Sequence, residues 1–430
     1  MRAIEIEFPG IGTYSREWLD QHGEEAQVIL SRCKGQYPRC LCRSPGSLLY
    51  IAQRSRFYLA RLPHSGPDHA PACPSYEPEP SLCGWGIYSS KALEDRGDGR
   101  IHLKLAASLA IRGSVETNAS PMPLHAAAEV TQRDAVQLRG LLHLLWERAE
   151  FNRWRPAMHG RRRYRQIFKY IHEAAEAITL RRHNLTHHLF MPEPFQRSER
   201  LQIEARRQRA LKERSESASG SPMRVLVAGQ LRTVVHMADG AQGLSLAHLP
   251  REFLIRAPAQ LLSRVRMESE FAWVDWPALH AEFHLIVLLT MQRMRSGHWS
   301  ADALAAMVTT PEYIPVFSME EALLAQRLTD EARAFYKPLP YDAVPWRLPN
   351  FLLVDCGDSP IPLEILGYSD AENAVRQGRI AQYRELGSPH WLWDCKEAST
   401  APDLTSGADH SARGPSMRET AAAAAAVIVP

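Results

Sequence analysis

The chain has 430 residues, of which 45% are hydrophobic and 23% charged, and its formal net charge is +3. This is the composition of an ordinary globular protein with room for roughly two to four domains. A chain of this length can bury enough hydrophobic surface to fold without disulfide bonds. The N-terminus lacks the apolar stretch of a signal peptide, and the longest apolar runs, HLIVLLTM and AAAAAAVIVP, are too short to span a bilayer. We therefore expect a cytoplasmic chain with no membrane partner.

Residues 1–120 are predicted to form a small β-rich module. Four segments carry the strand pattern of alternating or β-branched and aromatic residues, with Gly and Pro between them: SLLYIAQRS, RFYLARLP, GIYSSKAL and GRIHLKLAAS. Five of the seven cysteines lie between Cys33 and Cys83. In a reducing compartment these are thiols or metal ligands rather than disulfides, so their clustering indicates a local purpose.

Four residues of this module have the spacing of a metal site, namely Cys40-x-Cys42 and His69-x3-Cys73. A CxC on a tight turn projects two sulfurs toward one point, and an HxxxC at the start of a helix brings imidazole and thiolate to one face. Together they supply the four ligands of a structural Zn(II), which would stabilise a small module. Buried free thiols are the alternative interpretation. The module also contains three competing ligands, Cys33, Cys83 and His64.

Residues 123–215 are predicted to form a basic helical region. The expected helices lie around DAVQLRGLLHLLWERAEF, RRYRQIFKYIHEAAEAITLRR and SERLQIEARRQRALKER. Positions 151–214 hold sixteen Lys and Arg against six Glu, a net charge of +10, so the remainder of the chain sums to −7. The positive charge of this protein is therefore concentrated in its middle.

The densest basic stretch interleaves its cations with Trp154, Tyr164, Phe168 and Tyr170. Guanidinium groups neutralise phosphates and aromatic faces stack on bases, so two helices joined by a turn would suit a helix-turn-helix-like reader of DNA. The alternatives are a solvated helical face over core aromatics and a basic face that docks an acidic protein. The candidate DNA-binding residues are Arg153, Arg155, Arg161, Arg162, Arg163, Arg165 and Lys169.

The second half of the chain divides into three predicted regions after a linker at residues 213–223. Residues 224–317 are expected to form a β-hairpin plus two apolar helices, the latter around EFLIRAPAQLLSRVR and DWPALHAEFHLIVLLTMQRMRSG. Residues 318–395 follow the order helix, three strands, helix and strand, with Ser318 as the N-cap of the first helix. The Ser-, Ala- and Gly-rich segment 396–430 is expected to be disordered.

The order of elements over 318–395 resembles the core of the PD-(D/E)XK nucleases, the restriction-endonuclease-like fold. In that family a strand hairpin carries an Asp and then Glu-x-Lys; the carboxylates hold Mg(II), which activates water, and the Lys supports the developing charge. The resemblance places these positions at Asn350, Glu364 and Leu366, so one of the three matches.

The resemblance therefore implies a degenerate catalytic set, Glu364 and Asn350 with Lys337 as a displaced cation, and Mg(II) only if the domain still cleaves DNA. Asn is a weaker Mg(II) ligand than Asp, and Leu cannot stabilise an anion. The alternative is a plain α/β scaffold in which Glu364 pairs with Lys337 or an arginine. Three further residues could substitute for missing groups, namely Asp355, Arg379 and Glu321.

The stretch from Arg39 to Asp394 also resembles an uncharacterised bacterial family, a domain of unknown function often carried on integrative and conjugative elements. The resemblance implies a mobile-element context, in which DNA and other element-encoded proteins are natural partners. The segments that carry it are CLCR, YLARLPHSGPDHAPACPSYEP, LRGLLHLLWERAEFNRWRP, YIPVFSMEE and AFYKPLPYD.

The sequence thus predicts a multidomain α+β protein with a small zinc-stabilised β module, a helical middle and an α/β nuclease-like C-terminal domain. The predicted function is that of a mobile-element accessory protein that binds DNA and no longer cleaves it. One alternative is an active Mg-dependent DNase that uses Glu364. Another is a scaffold or protein-interaction module with no nucleic-acid role.

Overall fold

The computed structural model describes residues 3–53, 56–96, 100–111, 132–217, 219–268, 282–367, 369–398 and 400–404. Within these residues the helices are α1 (Arg16–Gln21), α2 (Gly23–Arg32), α3 (Leu138–Arg148), α4 (Tyr164–Ala177), α5 (Arg200–Ser215), α6 (Ala259–Glu268), α7 (Met319–Asp330) and α8 (Asp370–Glu385). The strands are β1 (Glu5–Phe8), β2 (Gly12–Ser15), β3 (Arg39–Cys40), β4 (Ser47–Gln53), β5 (Phe57–Arg61), β6 (Leu93–Asp95), β7 (Ile101–Leu103), β8 (Arg153–Trp154), β9 (Ile178–Leu180), β10 (His183–Asn184), β11 (Leu189–Phe190), β12 (Val225–His236), β13 (Gln242–Leu246), β14 (Ile255–Ala257), β15 (His284–Arg293), β16 (Trp299–Thr309), β17 (Pro315–Val316), β18 (Phe335–Tyr336), β19 (Phe351–Leu353), β20 (Ile361–Leu366) and β21 (Trp391–Asp394). This mixture confirms the predicted α+β class. A helix able to span a bilayer is not found in the described parts of the chain.

The N-terminal strands form one antiparallel sheet in the order β2-β1-β3-β4-β5. The strands predicted at SLLYIAQRS and RFYLARLP are confirmed as β4 and β5. The core under this sheet includes Ile6, Phe8 and Leu30, and also Tyr336 and Leu352 from the C-terminal sheet. The N-terminal module is therefore joined to the rest of the molecule by a shared core.

One strand predicted in this module is replaced by a turn. GIYSSKAL starts within the 3₁₀ turn Gly84–Ile87, of which it holds the last two residues, and β6 begins only at its final residue, Leu93. The N–H of Gly84 donates to the carbonyl of Leu339 at 2.8 Å, and a Cβ on Gly84 would lie 2.5 Å from that oxygen. The close approach of two backbones, which only glycine allows, determines the conformation here.

The middle of the chain is helical as predicted, but it contributes strands to other regions. β8 pairs with β18 of the C-terminal sheet, β9 pairs with β7, and β11 pairs with β12. The linker expected at 213–223 begins inside α5 and leads directly into β12 through a bridge between Glu216 and Pro222. The first residues of the predicted region, 123–131, lie outside the described residues.

A buried carboxylate fixes the start of α3. Asp342 accepts hydrogen bonds from the N–H groups of Gln137 and Gly140, both at 2.8 Å, and from the Tyr88 hydroxyl at 2.5 Å. An anion is favoured at a helix N-terminus by the unpaired N–H groups and by the helix dipole. A Cβ on Gly140 would lie 2.2 Å from the Tyr88 hydroxyl, so glycine is required there.

Strands β12 to β16 close into a barrel. β12 pairs antiparallel with β15 through residues 225–230 and with β13 through residues 231–236. β13 and β14 are antiparallel, β14 and β16 are parallel, and β16 and β15 are antiparallel. The order around the ring is therefore β12-β13-β14-β16-β15 and back to β12, and α6 follows β14 in the chain.

The prediction of a helix over HLIVLLTMQR is wrong, because this segment forms β15. Val287 belongs to the core that fills the barrel, whereas its neighbour Leu288 packs with the residues of α3. A strand buried on both faces is a continuous apolar run, which periodicity alone cannot distinguish from a buried helix. The preceding part of that predicted helix, residues 269–281, lies outside the described residues. The predicted pairing of β12 with β13 is confirmed.

The predicted order of the C-terminal region is confirmed over α7, β18, β19, β20, α8 and β21. The sheet order is β21-β20-β19-β18-β8, with β21 parallel to β20 and the other pairs antiparallel. Ser318 caps α7 as predicted, with its hydroxyl accepting from the Glu321 N–H at 3.2 Å. The likeness to nucleases stays a prediction.

The beginning of the tail that was predicted to be disordered is packed against this sheet. The indole N–H of Trp393 donates to the carbonyl of Ala398 at 2.8 Å, and Arg327 on α7 donates to the carboxylate of Asp403 at 2.9 Å. Leu404 also packs against the core. Residues 405–430 of the predicted tail lie outside the described residues.

Candidate metal centre and nucleic-acid interface

The four predicted metal ligands lie together. One ligand atom from each of Cys40, Cys42, His69 and Cys73 lies within 4.8 Å of all the others. The Sγ atoms of Cys40 and Cys73 are 3.7 Å apart, and Nδ1 of His69 lies 3.4 Å from Cys42 Sγ and 3.7 Å from Cys73 Sγ. Cys42 is half-buried and the other three residues are buried.

These separations match a tetrahedral zinc ion. With Zn–S bonds of about 2.3 Å and a Zn–N bond of about 2.0 Å, the edges of the tetrahedron are about 3.8 Å between sulfurs and about 3.5 Å between sulfur and nitrogen. Three thiolates and one imidazole also form a complete ligand set of a structural zinc site. The cluster could therefore bind a metal such as zinc, with every coordination position filled by protein.

Backbone N–H groups in the loops that carry these residues donate hydrogen bonds to the sulfurs. The N–H of Ala70 donates to Cys42 Sγ at 3.3 Å, and the N–H of Ser75 donates to Cys73 Sγ at 3.4 Å. Such bonds favour the thiolate form. The HxxxC segment follows the 3₁₀ turn Gly66–Asp68 and lies in turns, not at the start of the helix that its spacing suggested.

The cluster holds mutually stabilising charges. Burial lowers the pKa of His69, but its contacts with Cys42 and Cys73 outweigh burial and raise that pKa to about 9. Hydrogen bonds from Cys40 and Cys42 hold the pKa of the Cys73 thiol far below its ordinary value. Hydrogen bonds with Cys42 and Cys73 raise the pKa of the Cys40 thiol, so a metal that binds here would displace protons from Cys40 and from His69.

The three competing ligands lie apart from this cluster. Cys33 is buried in the neighbouring hydrophobic core, and Cys83 Sγ donates to the carbonyl of Pro80 at 3.6 Å. His64 lies in a turn with a φ of +58° and is exposed. None of the three belongs to the group of converging ligands found among the described residues.

The nuclease-like residues form a buried ion-pair network. The carboxylate of Glu364 is fully buried and accepts from Arg379 Nε at 2.6 Å, Arg379 Nη2 at 2.8 Å and Arg376 Nη1 at 3.2 Å. The Tyr383 hydroxyl also donates to it at 3.4 Å. Of the interpretations open from sequence, pairing of Glu364 with arginine is the one observed.

Asn350 connects Glu364 to a second ion pair. Its Oδ1 accepts from Arg376 Nη1 at 2.7 Å and from the Ile365 N–H at 2.9 Å, and its Nδ2 donates to Glu321 Oε1 at 2.7 Å. The ammonium group of Lys337 donates to the same Glu321 oxygen at 2.7 Å. All six of these residues are buried.

This network does not fit a Mg(II) centre. Three cations surround two carboxylates, so the residues expected to hold the metal already have partners of opposite charge. A metal at Glu364 would have to displace a buried guanidinium, and breaking such a pair costs about 3–5 kcal/mol. Asp355 is no substitute, because both of its oxygens accept from Arg333 at 2.9 and 3.0 Å.

Two of the predicted DNA-binding residues are structural. Arg162 donates to the backbone carbonyls of Phe151 at 3.0 Å, Glu150 at 3.2 Å and Glu312 at 3.3 Å. Its burial lowers the pKa of the guanidinium to about 9. Arg153 is buried and donates to the carbonyl of Pro74 at 2.8 Å. The prediction that these two residues contact DNA is corrected, since their donors are turned inward to the backbone.

The other predicted residues lie at the surface. Arg161, Arg163, Arg165 and Lys169 are exposed, and Arg155 is half-buried. The exposed four precede α4 or lie on its first half, and the first turn of α4 contains no acidic residue. Cations at a helix N-terminus oppose the dipole at a cost of about 0.3–1 kcal/mol each. A phosphate bound there would relieve this repulsion.

α5 brings further cations close to α4. The two helices face each other across a cleft of about 150 Å³ lined by Phe168 and His172 of α4 and by Arg206 and Arg207 of α5. Arg206 is paired with Glu193 at 2.6 Å and with Glu199 at 3.2 Å. The exposed cations of α5 are Arg200, Arg206, Arg209 and Lys212.

Sequence reasoning missed Arg376, although Arg379 and Glu321 were considered as substitutes. Arg376 and Arg379 are three positions apart on α8, which is the spacing that places two side chains on one helix face. The signal available in the sequence was a pair of arginines on one face of a helix that follows a strand containing a Glu.

Cys73→Ser is expected to abolish stoichiometric metal binding, because it removes one of four converging ligands. Elemental analysis of the purified wild-type protein should find about one zinc per chain, lost on acidification as the thiolates are protonated. Cys33→Ser is the control, since Cys33 is equally buried but does not point into the cluster. Equal zinc content in the two variants, or no zinc in the wild type, would contradict the assignment.

Glu364→Ala is expected to lower the free energy of unfolding by about 3–5 kcal/mol, because it leaves the buried guanidinium of Arg376 and the half-buried one of Arg379 without their carboxylate. Glu385→Ala, at the exposed end of α8, is the control and should change it by about 0.5 kcal/mol or less. Chemical denaturation measures both. An unchanged or raised stability for Glu364→Ala would instead indicate a strained catalytic carboxylate.

Comparison with family models places most of this chain in one family. The model described as "Protein of unknown function (DUF1173)" matches residues 15–396, a range that includes the metal cluster, the basic helices, the barrel and the buried network. No curated protein and no solved structure matches the chain. The predicted membership of a domain-of-unknown-function family is thereby confirmed: the chain belongs to the DUF1173 family.

Proposed function

We propose that the protein binds DNA through a basic surface formed by Arg161, Arg163, Arg165 and Lys169. The observation that carries the proposal is their position: Arg161, Arg163 and Arg165 are exposed at the start of α4, where its dipole disfavours cations, and Lys169 lies about one turn further along the helix. Selection for helix stability would place acidic residues there, so the arrangement favours an anionic ligand. A phosphate backbone supplies such charges at regular spacing.

The remaining regions have supporting roles in this proposal. Zinc at Cys40, Cys42, His69 and Cys73 stabilises the N-terminal sheet, and the C-terminal sheet is a nuclease-like scaffold without catalysis. The proposed setting is a mobile element in the cytoplasm, where the protein acts as a DNA-associated accessory factor. The support for that setting is the family resemblance of the sequence.

The two alternatives differ in their support. An active DNase would need Glu364 to release its arginines, which the contacts of Glu364 disfavour. A protein-interaction role has one favourable observation: Leu201 on α5 is 82% exposed and Phe195 is 50% exposed. A contiguous apolar patch that included these two side chains would be typical of a surface that binds a protein partner.

The proposal predicts that Arg161→Glu, Arg163→Glu and Arg165→Glu together weaken DNA binding about tenfold or more at low salt and flatten its salt dependence. Fluorescence anisotropy with a labelled duplex over a salt series measures both effects. Acidic residues suit the start of a helix, so the triple variant should fold normally. Lys169 is left unchanged because it lies 3.9 Å from Glu173.

The matched control carries the same change of charge elsewhere, as Lys91→Glu, Lys104→Glu and Lys396→Glu, all at exposed positions. It should retain most of the affinity. Equal losses in the two variants would show a non-specific effect of net charge. Absence of any binding by the wild type at low salt would refute the proposed function.

A further inference from the structure

We infer that zinc at the metal cluster of the N-terminal module strengthens DNA binding by the basic surface on α4, and that Arg153 and Arg162 connect the two sites. The inference rests on the proposed function, because it assigns a regulator to that same surface. Its basis is a chain of hydrogen bonds that runs from the loop of one metal ligand to the turn that carries two of the exposed cations.

The first link is the hydrogen bond between Arg153 and the loop that contains Cys73. Pro74 follows Cys73 directly in the chain, and its carbonyl accepts from Arg153 Nη1 at 2.8 Å. This loop is folded around the ligand, since the Ser75 N–H donates to Cys73 Sγ at 3.4 Å and the Tyr76 N–H donates to the Cys73 carbonyl at 3.1 Å. A metal that fixes the sulfur therefore also fixes the carbonyl that Arg153 binds.

The second link joins Arg153 to the beginning of the basic surface. Arg162 donates to the backbone carbonyl of Arg153 and to that of Glu150, the latter at 3.2 Å. The neighbours of Arg162 in the chain are Arg161 and Arg163, two exposed cations of the proposed DNA-binding surface. The position of these two cations therefore depends on the carbonyl groups that Arg162 binds.

Arg153 also has a second acceptor close by. The same Nη1 atom that binds Pro74 lies 3.9 Å from the carboxylate of Glu150, which is the carboxylate within ion-pair distance of this guanidinium among the described residues. A buried guanidinium is costly without an acceptor, so loss of the Pro74 carbonyl would turn Arg153 toward Glu150. Because the backbone of Glu150 supports Arg162, this choice between two acceptors reaches the basic surface.

The metal is expected to act on the turn that precedes α4 and not on the helix itself. Tyr164, the first residue of α4, is anchored away from the N-terminal module: its hydroxyl donates to the carbonyl of Pro192 at 2.7 Å, and its ring centroid lies 3.9 Å from that of His248. Arg161 and Arg163 precede this anchor. Loss of the metal would therefore displace these two cations while α4 keeps its place.

The first test compares the full chain loaded with zinc and the same chain after removal of zinc by a chelator. Fluorescence anisotropy with a labelled 20-base-pair duplex should find binding about tenfold weaker without zinc, which is a typical size for coupling between two sites. Coupling of binding free energies is reciprocal. The duplex should therefore raise the affinity for zinc by the same factor, as measured by competition with a chromophoric chelator.

Two variants interrupt the path between the sites. Glu150→Ala removes the second acceptor of Arg153, and because the Glu150 side chain is 54% exposed the protein should fold normally. Arg153→Met removes the guanidinium itself. In both variants the ratio of duplex affinities with and without zinc should fall to about twofold or less. Both should still bind about one zinc per chain, since the four ligands are unchanged.

The control variant loosens the same module away from the path. Gln27→Ala removes two hydrogen bonds to the backbone of Phe57, at 2.8 and 2.9 Å, and should keep the full effect of zinc on duplex affinity. Circular dichroism checks the fold of every sample. If Arg153→Met is unfolded, Glu150→Ala decides alone.

The outcomes separate this inference from the proposed function. Equal duplex affinity of the wild type with and without zinc would overturn the inference and leave the proposed function standing. A full effect of zinc in Glu150→Ala, or loss of helical signal from the wild type when zinc is removed, would also overturn it, since the metal would then act through general stability. No duplex binding by the zinc-loaded wild type would refute the proposed function itself.

Discussion

The buried ion-pair network around Glu364 is the interaction on which the C-terminal half depends. It joins α7 through Glu321, β18 through the adjoining Lys337, and α8 through Arg376 and Arg379, with Asn350 bridging the two pairs. Each charge is costly to bury alone and acceptable only with its partners in place. The geometry of the sheet therefore depends on all of these side chains being present together.

The same network explains why the residues that resemble a nuclease motif do not form a Mg(II) site. A Mg(II) centre needs carboxylates that face water and await a cation. Here the cations are arginines and a lysine supplied by the protein, and the carboxylates face inward. The DNA binding that we propose lies outside this sheet, where cations meet solvent at the start of α4.

The barrel and the C-terminal sheet share one hydrophobic core, which limits how independently they can move. Val287 of the barrel, Leu324 of α7 and Phe351 of β19 belong to a single buried cluster. Strand β8 of the helical region extends the C-terminal sheet beside β18. The basic surface proposed on α4 is held on the same packed body, because Ile167 of α4 belongs to one buried cluster with Leu226 and Ile286 of the barrel.

Features set by neighbouring residues were predictable from the sequence, and features set by distant partners were not. The ligands Cys40, Cys42, His69 and Cys73 could be predicted because short turns present each pair. The alternating strands and the cap at Ser318 are local for the same reason. The strand β15 was mistaken for a helix because burial on both faces removes alternation.

Counting the charges in the sequence did not reveal that Arg153 and Arg162 bind backbone carbonyls. A guanidinium that caps backbone carbonyls and one that faces solvent look the same in a sequence. The partner of Glu364 and the closure of the barrel depend on contacts between segments far apart in the chain, and no local pattern encodes the ring order of its strands. These features required the folded structure.

Hydrogen–deuterium exchange of the full chain, with and without oligonucleotide, tests the central claim that recognition and the buried carboxylates are separate. The account predicts protection at residues 161–170 with duplex, while residues 350–366 exchange as before. Protection concentrated at residues 350–366, with the basic helix unaffected, would contradict it.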